Sequence, residues 1–364
     1  MARVLFLVNH EIVIYNFRLE IVERLLEDGH QVYVSSPFGE RIKELISIGV
    51  KYCKIDIERH GFNPFNELKL LNEYKKIIDN IKPDIILGFT IKPNIYGAIA
   101  ARKYHVPFVA NITGLGSALE KSGIKQKILI ILYRYAFKDI KKVFFQNVDN
   151  KNFFIENRII KNKYEILPGS GVNLKRYPYF QYPSDNKVEF AFISRIMKEK
   201  GIDQYLEAAQ VITQKNNNVI FHICGFCEED YNQKLIRLTK QNPNIQYHGM
   251  IKDVASFMSK MHCIVHPSYY PEGLSNVLLE SSACGRPIIT TDRAGCREVI
   301  IDRVNGYLIK ANNANDLIEK IKTFLNLSYE EKRQMGINGR KLVEEKFDRQ
   351  IVVDYYLKEI QDFK

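Results

Sequence analysis

The chain has 364 residues, an apolar fraction of 46% and a formal net charge of +11. That length exceeds what one hydrophobic core organises and points to two domains, while the composition is that of a globular protein. The longest wholly apolar stretch, Ile128 to Tyr133, falls far short of the ~18–20 residues that cross a bilayer, and no export signal is read at the start of the sequence.

Short apolar runs alternate with helical patterns from the N-terminus onward: Val4–Val8, Val32–Ser36, Asp84–Phe89, Phe108–Ile112, Val143–Gln146 and Glu165–Pro168. Near-continuous apolar strands separated by helices predict a parallel sheet covered on both faces. His10 follows the first strand, where a site loop sits in such sheets, and is a candidate catalytic residue. The stretch Ile124 to Lys142 places Ile124, Ile128, Ile131, Leu132 and Tyr135 on one face. Lys121, Lys125, Lys127, Arg134, Lys138, Lys141 and Lys142 surround that face. It reads either as a core helix with a solvated basic side or as a helix lying on an anionic membrane. Residues 1–180 hold 28 Lys+Arg against 18 Asp+Glu, giving +10, whereas residues 181–364 hold 25 against 24, giving +1. The first half should therefore attract an anionic surface or ligand.

The segment 169–186, GSGVNLKRYPYFQYPSDN, is rich in Gly, Pro and polar residues and is predicted to be the hinge. The strand series then restarts with Val188–Ser194, Val219–Gly225, Ile245–Gly249, Cys263–Pro267, Pro287–Thr291 and Gly306–Ile309, predicting a second Rossmann-like domain. The six cysteines are expected to be reduced, and the single Cys224-x-x-Cys227 lacks a second pair to complete a zinc site. The last helix, about Asp348 to Phe363, is read from its spacing as packing on its own domain.

Within the second half, Arg195 and Lys200 both lie just beyond a strand's carboxyl end, where a guanidinium fork and an ammonium can grip phosphate oxygens. Residues 263–300 read as a strand feeding a helix N-terminus, so the backbone at Gly273, Leu274, Ser275 and Asn276 could hold a diphosphate. Glu272 and Glu280 flank that cradle, eight residues apart. Two carboxylates beside one phosphate site suggest sugar hydroxyls as their partners.

The segments SRIMKEKGIDQYLEAA and HPSYYPEGLSNVLLESSACGRPIITTDRAGCREVI, with KPDIILGFTIKPNIYGAIAARKYHVPFVANITGLG in the first half, resemble retaining GT-B glycosyltransferases of family 4. The likeness is to bacterial capsule and O-antigen transferases acting on polyprenyl-diphosphate-linked sugars. It implies two Rossmann-like domains facing a cleft. Residues 1–170 would be the acceptor and membrane-facing domain, 171–347 the donor domain, and 348–364 a helix crossing back to the N-terminal domain. It further implies that Arg195 and Lys200 bind the donor diphosphate, Glu280 the ribose and Glu272 the transferred sugar, with 273–276 against the diphosphate. Lys92 and Thr113 become acceptor-side candidates. Two departures stand out: Asn9-His10-Glu11 replaces a glycine-rich loop, and Thr113 stands where many members carry His.

No Asp-x-Asp tripeptide occurs, so no cofactor or metal is expected, and the cations together with the helix dipole would stabilise the leaving diphosphate. The expected partners are a nucleotide sugar, taken as UDP-linked, a polyprenyl-diphosphate-linked acceptor and an anionic membrane surface, with no nucleic acid. The expected location is cytoplasmic, peripheral on the inner face of the plasma membrane. A nucleotide-sugar 2-epimerase of related fold and a non-catalytic nucleotide-sugar binding protein are the competing readings.

Overall fold

The computed structural model describes residues 1–58, 63–120, 122–184, 187–227 and 231–361. They form two compact units, one of Met1–Ser170 with the C-terminal segment from Arg349, the other of Gly171–Asp348. The strands of the first unit are β1 (Arg3–Leu7), β2 (Gln31–Ser36), β3 (Lys51–Lys54), β4 (Ile85–Phe89), β5 (Phe108–Ile112), β6 (Lys142–Phe145) and β7 (Tyr164–Ile166). All pair in parallel, in the order β3-β2-β1-β4-β5-β6-β7. Every residue of β4 and β5 is buried, because helices cover both faces and leave no polar side to alternate with. Leu5, Leu7, Ile86, Phe108 and Ala110 enter one core; Val4, Phe6, Ile85, Leu87 and Val109 enter the other.

That second core is completed by the last helix, Arg349–Gln361, through Val352, Val353, Tyr356, Leu357 and Ile360. Tyr356 donates its hydroxyl hydrogen bond to Asn111, and Arg349 pairs with Glu20 at 2.9 Å. The helix thus packs on the first unit, not on the Gly171–Asp348 unit that precedes it in the chain. Packing on its own domain, the reading from spacing alone, fails because spacing shows an apolar face and not what covers it.

The second unit has β8 (Val188–Ile193), β9 (Val219–Cys224), β10 (Ile245–Gly249), β11 (Cys263–His266), β12 (Ile288–Thr291) and β13 (Gly306–Ile309). Their order is β10-β9-β8-β11-β12-β13, again all parallel. This is the 3-2-1-4-5-6 order of a dinucleotide-binding sheet. The order reverses between β1 and β4 in one unit and between β8 and β11 in the other, the positions beyond which open α/β sheets bind ligands.

One reading needs revision. Strand β3 was not anticipated: as an edge strand its burial runs exposed, half-buried, half-buried, exposed, and Lys-Tyr-Cys-Lys carries no apolar run. The segment expected to be the hinge, 169–186, contains the boundary between the units, after Ser170. Val172, Tyr177 and Tyr182 are buried in the second unit, and the buried Arg286 donates to the carbonyl oxygens of Phe180, Gln181 and Cys284. All six cysteines are free. Burial pushes the Cys224 thiol up to about 12, which removes the thiolate that redox chemistry needs.

Candidate active site

In the second unit the switch point brings the end of β8 beside the end of β11. Arg195 follows β8 by two residues, and the chain then forms a 3-10 turn, Lys198–Lys200, ahead of the helix Ile202–Thr213. Gly201 joins them at φ +78°, and a Cβ there would lie 2.2 Å from the Pro267 carbonyl oxygen. Only glycine therefore lets the turn seat Lys200 against the loop after β11.

The Lys200 ammonium is hydrogen-bonded to Glu272, with 9% and 14% of the two side chains exposed. Glu272 also accepts from the Ser268 hydroxyl at 3.2 Å and lies 3.6 Å from His266 Nε2. Burial alone would raise the Glu272 carboxyl; Lys200 and His266 outweigh it and hold the group well below the usual carboxylate range. His266, buried, is pushed down by loss of water despite Glu272, so it is neutral at pH 7. Its Nδ1 has no hydrogen-bond partner. The Tyr270 ring carries two cations, Arg195 at 5.4 Å and Lys200 at 5.2 Å from its centroid, contacts worth ~0.5–2 kcal/mol each.

The helix Asn276–Ala283 opens from Ser275, whose side chain does not cap it. The Ser275 hydroxyl instead meets His266 Nε2 at 3.1 Å, while its backbone N–H donates to Gly295 at 2.8 Å. Gly295, at φ +88°, packs against Glu272 and Gly273 so closely that a Cβ would sit 3.1 Å from their atoms. The positive end of this helix thus stands beside Lys200 and Arg195. Glu280 lies further along, half-buried, where its carboxylate, after burial itself, raises the Tyr177 hydroxyl pKa.

The structure therefore gathers Arg195, Lys200, Glu272 and the 273–276 loop, and adds His266, Ser268 and Tyr270, which sequence reasoning missed. The one visible signal for His266 was its place as the last residue of a strand. Among the described residues no group of three His, Cys, Asp or Glu side chains is placed to hold a metal ion.

In the first unit, His10 lies beyond β1 with Nδ1 2.8 Å from the Glu11 carboxylate and 3.2 Å from the Ile12 backbone N–H. Thr113 follows β5, half-buried, before Gly114 at φ +137°. Lys92 occupies the first turn of the helix Ile91–Lys103, and its ammonium meets the buried Glu67 at 2.6 Å. The stretch read as one face from Ile124 to Lys142 divides. The helix ends at Ala136; Leu129, Ile130, Tyr133 and Ala136 face the core. Ile124, Ile128, Ile131 and Tyr135 are exposed by 78%, 45%, 62% and 57%. Lys141 and Lys142 leave that surface to pair with Glu359, and Lys121 lies outside the described residues. Among the described residues no helix is long and apolar enough to cross a membrane.

Two family descriptions match: Glycosyl transferase 4-like over residues 3–147 and Glycosyl transferases group 1 over residues 180–342. The chain is 28% identical to the N,N'-diacetylbacillosaminyl-diphospho-undecaprenol alpha-1,3-N-acetylgalactosaminyltransferase of Campylobacter jejuni, covering 98% of this chain and 97% of that one. It is 25% identical to the capsular polysaccharide biosynthesis glycosyltransferase CapM of Staphylococcus aureus, covering 91% and 90%. Among solved structures, Anabaena HepE in complex with UDP and glucose superposes over all of both chains with a TM-score of 0.82 at 18% identity, a likeness of fold. With both halves matched and a doubly wound sheet in each, the chain belongs to the GT-B glycosyltransferases of family 4, group 1.

Proposed function

We propose that this glycosyltransferase moves a hexose or N-acetylhexosamine from a UDP-sugar, with retention and without a metal, to a polyprenyl-diphosphate-linked saccharide in surface polysaccharide synthesis. The observation that carries the reading is the Lys200–Glu272 pair beside Arg195 and Tyr270 at the β8/β11 switch point, under a helix N-terminus. Arg195, Lys200 and the backbone of Gly273, Leu274, Ser275 and Asn276 stabilise the departing diphosphate as its charge develops. Glu272, kept ionised, accepts hydroxyl hydrogen bonds from the transferred sugar, and Glu280 does so from the ribose. The leaving phosphate takes the acceptor's proton on the face it vacates, with His10 and Thr113 on the acceptor side. The acceptor class is supported by the undecaprenol diphosphate in the Campylobacter relative's name, and the setting by the staphylococcal one.

The enzyme works peripherally on the cytoplasmic face of the membrane. The outward stripe Ile124, Ile128, Ile131 and Tyr135, edged by Lys125, Lys127, Arg134 and Lys138, has the form of an interfacial helix face, and its electrostatic part is screened beyond about 8–10 Å. The deciding experiment is mass spectrometry and proton NMR of products from a panel of UDP- and GDP-sugars with synthetic polyprenyl-diphosphate saccharides, with and without EDTA. One UDP-sugar should extend the acceptor by one α-linked residue in excess EDTA. An epimerised nucleotide sugar, no product with any acceptor, or a strict divalent-metal requirement would overturn it.

A further inference from the structure

The loop after β11 sets one aromatic ring against both cations of the candidate donor site. Its backbone is tied down at three points: the Tyr269 N–H donates to the Glu199 carbonyl at 2.8 Å, the Tyr270 N–H to the Ser268 hydroxyl at 3.3 Å, and the Glu272 N–H to the Tyr270 carbonyl at 2.9 Å. The first of these joins the loop to the turn Lys198–Lys200, one residue before the lysine. The half-buried Tyr270 ring therefore stands in fixed register with Arg195, 5.4 Å from its centroid, and with Lys200, 5.2 Å from it. Both distances lie within the ~6 Å over which a ring face attracts a cation. Two cations drawn to one site repel one another, and each contact with the ring offsets part of that repulsion.

We infer that Tyr270 is a positioning residue for the donor diphosphate, its ring holding Arg195 and Lys200 in place without neutralising them; this deepens, and rests on, the donor-site reading above. The chemistry favours an aromatic face over a further carboxylate. Glu272 already gives Lys200 a counter-charge, and a second carboxylate would cancel the positive charge that a departing diphosphate needs. The quadrupole of a ring attracts a cation yet carries no net charge, so the site stays positive. Contact with the ring also restrains two long side chains before the ligand arrives, which lessens the ordering that binding must impose. A diphosphate brings one more phosphoryl group and more negative charge than a monophosphate, so preference for the first over the second measures how well the two cations are held. The ring face carries this role, and the phenolic hydroxyl has no part in it.

The test is isothermal titration calorimetry of the full chain with UDP and UMP, and with GDP and GMP, for wild type, Tyr270→Phe and Tyr270→Leu. Wild type should prefer a nucleoside diphosphate over its monophosphate. Tyr270→Phe keeps the ring and should hold that preference within about twofold. Tyr270→Leu is apolar but has no π face, and should lower the preference about five- to thirtyfold, the combined loss of two cation contacts. Misfolded protein would lower the binding stoichiometry and leave the ratio of affinities unchanged, so a folding defect does not mimic this result. A Leu variant with the wild-type preference, or a Phe variant that loses as much as the Leu variant, would overturn the role of the ring while leaving the diphosphate site in place. A wild type that prefers neither diphosphate would overturn the donor-site reading and this inference with it.

Discussion

Removing the Lys200 charge should expose how much of the second unit's stability is tied to its active site. Lys200→Met leaves Glu272 ionised in a site where it is only 14% exposed, and breaking a buried pair from one side costs about 3–5 kcal/mol. Ser268 and His266 still face the carboxylate, so the lower end, about 3 kcal/mol, is expected. For a unit of this size that is a fall of about 6–12 °C in the midpoint of its thermal transition. Glu272→Gln should cost a similar amount by stranding the ammonium. The double variant buries neither charge and should recover about 2 kcal/mol of the summed loss. The assay is far-UV circular dichroism melting of the full chain, since there is no tryptophan to report by fluorescence. Strictly additive losses, or a Lys200→Met midpoint within about 1 °C of wild type, would refute the claim that the two charges hold one another.

Kinetics of Glu280→Ala should show mainly a raised donor KM, whereas Arg195→Ala should lose about 10- to 100-fold in kcat, the effect of a contact that strengthens as the diphosphate leaves. Gly201→Ala, forced to φ +78° and against the Pro267 carbonyl, should destabilise by at least about 1–3 kcal/mol in melting experiments and displace Lys200. His266 is held below the ordinary imidazole range by burial, so below about pH 6.5 the unfolded chain takes up a proton that the folded unit refuses. Stability is full above that pH and falls as it drops, by up to about 1.4 kcal/mol per unit. The exposed His248, lowered by partial burial and by His222, adds less. His266→Gln should flatten most of the slope between pH 6.5 and 5 in denaturant titrations, and an unchanged slope would show that His266 is not the group responsible.

Legibility followed burial. Strands covered on both faces, such as Ile85–Phe89 and Cys263–His266, announce themselves as apolar runs; the edge strand Lys51–Lys54 touches one neighbour and need not be apolar. The Ile124–Ala136 helix shows why period alone misleads. Its sequence contains two apolar stripes, Ile124-Ile128-Ile131-Tyr135 and Leu129-Ile130-Tyr133-Ala136, and only the second meets the core. Nothing in the spacing distinguishes them. Arg195, Lys200 and Glu272 were findable one at a time because each lies just past the end of an apolar strand, which is a local signal.

Their pairing was not local. Lys200 meets Glu272 across 72 positions because the sheet order reverses between β8 and β11, and Lys92 meets Glu67 across 25 positions. In Pro-Phe-Asn-Glu67 the glutamate looks like an ordinary first-turn acid favoured by the helix dipole. Only the packing of the helix Pro64–Ile81 against the helix Ile91–Lys103 buries it beside Lys92 and Tyr96. The same logic governs His266: a histidine closing a strand is unremarkable until the loop after it folds back to place Glu272 and Ser275 on its ring. Strand ends can thus be read from one dimension, whereas the charge state of what stands on them is set by crossovers. A carboxylate's place in the sequence therefore gives its address in the sheet, and its neighbours in space decide whether it carries a charge or a proton.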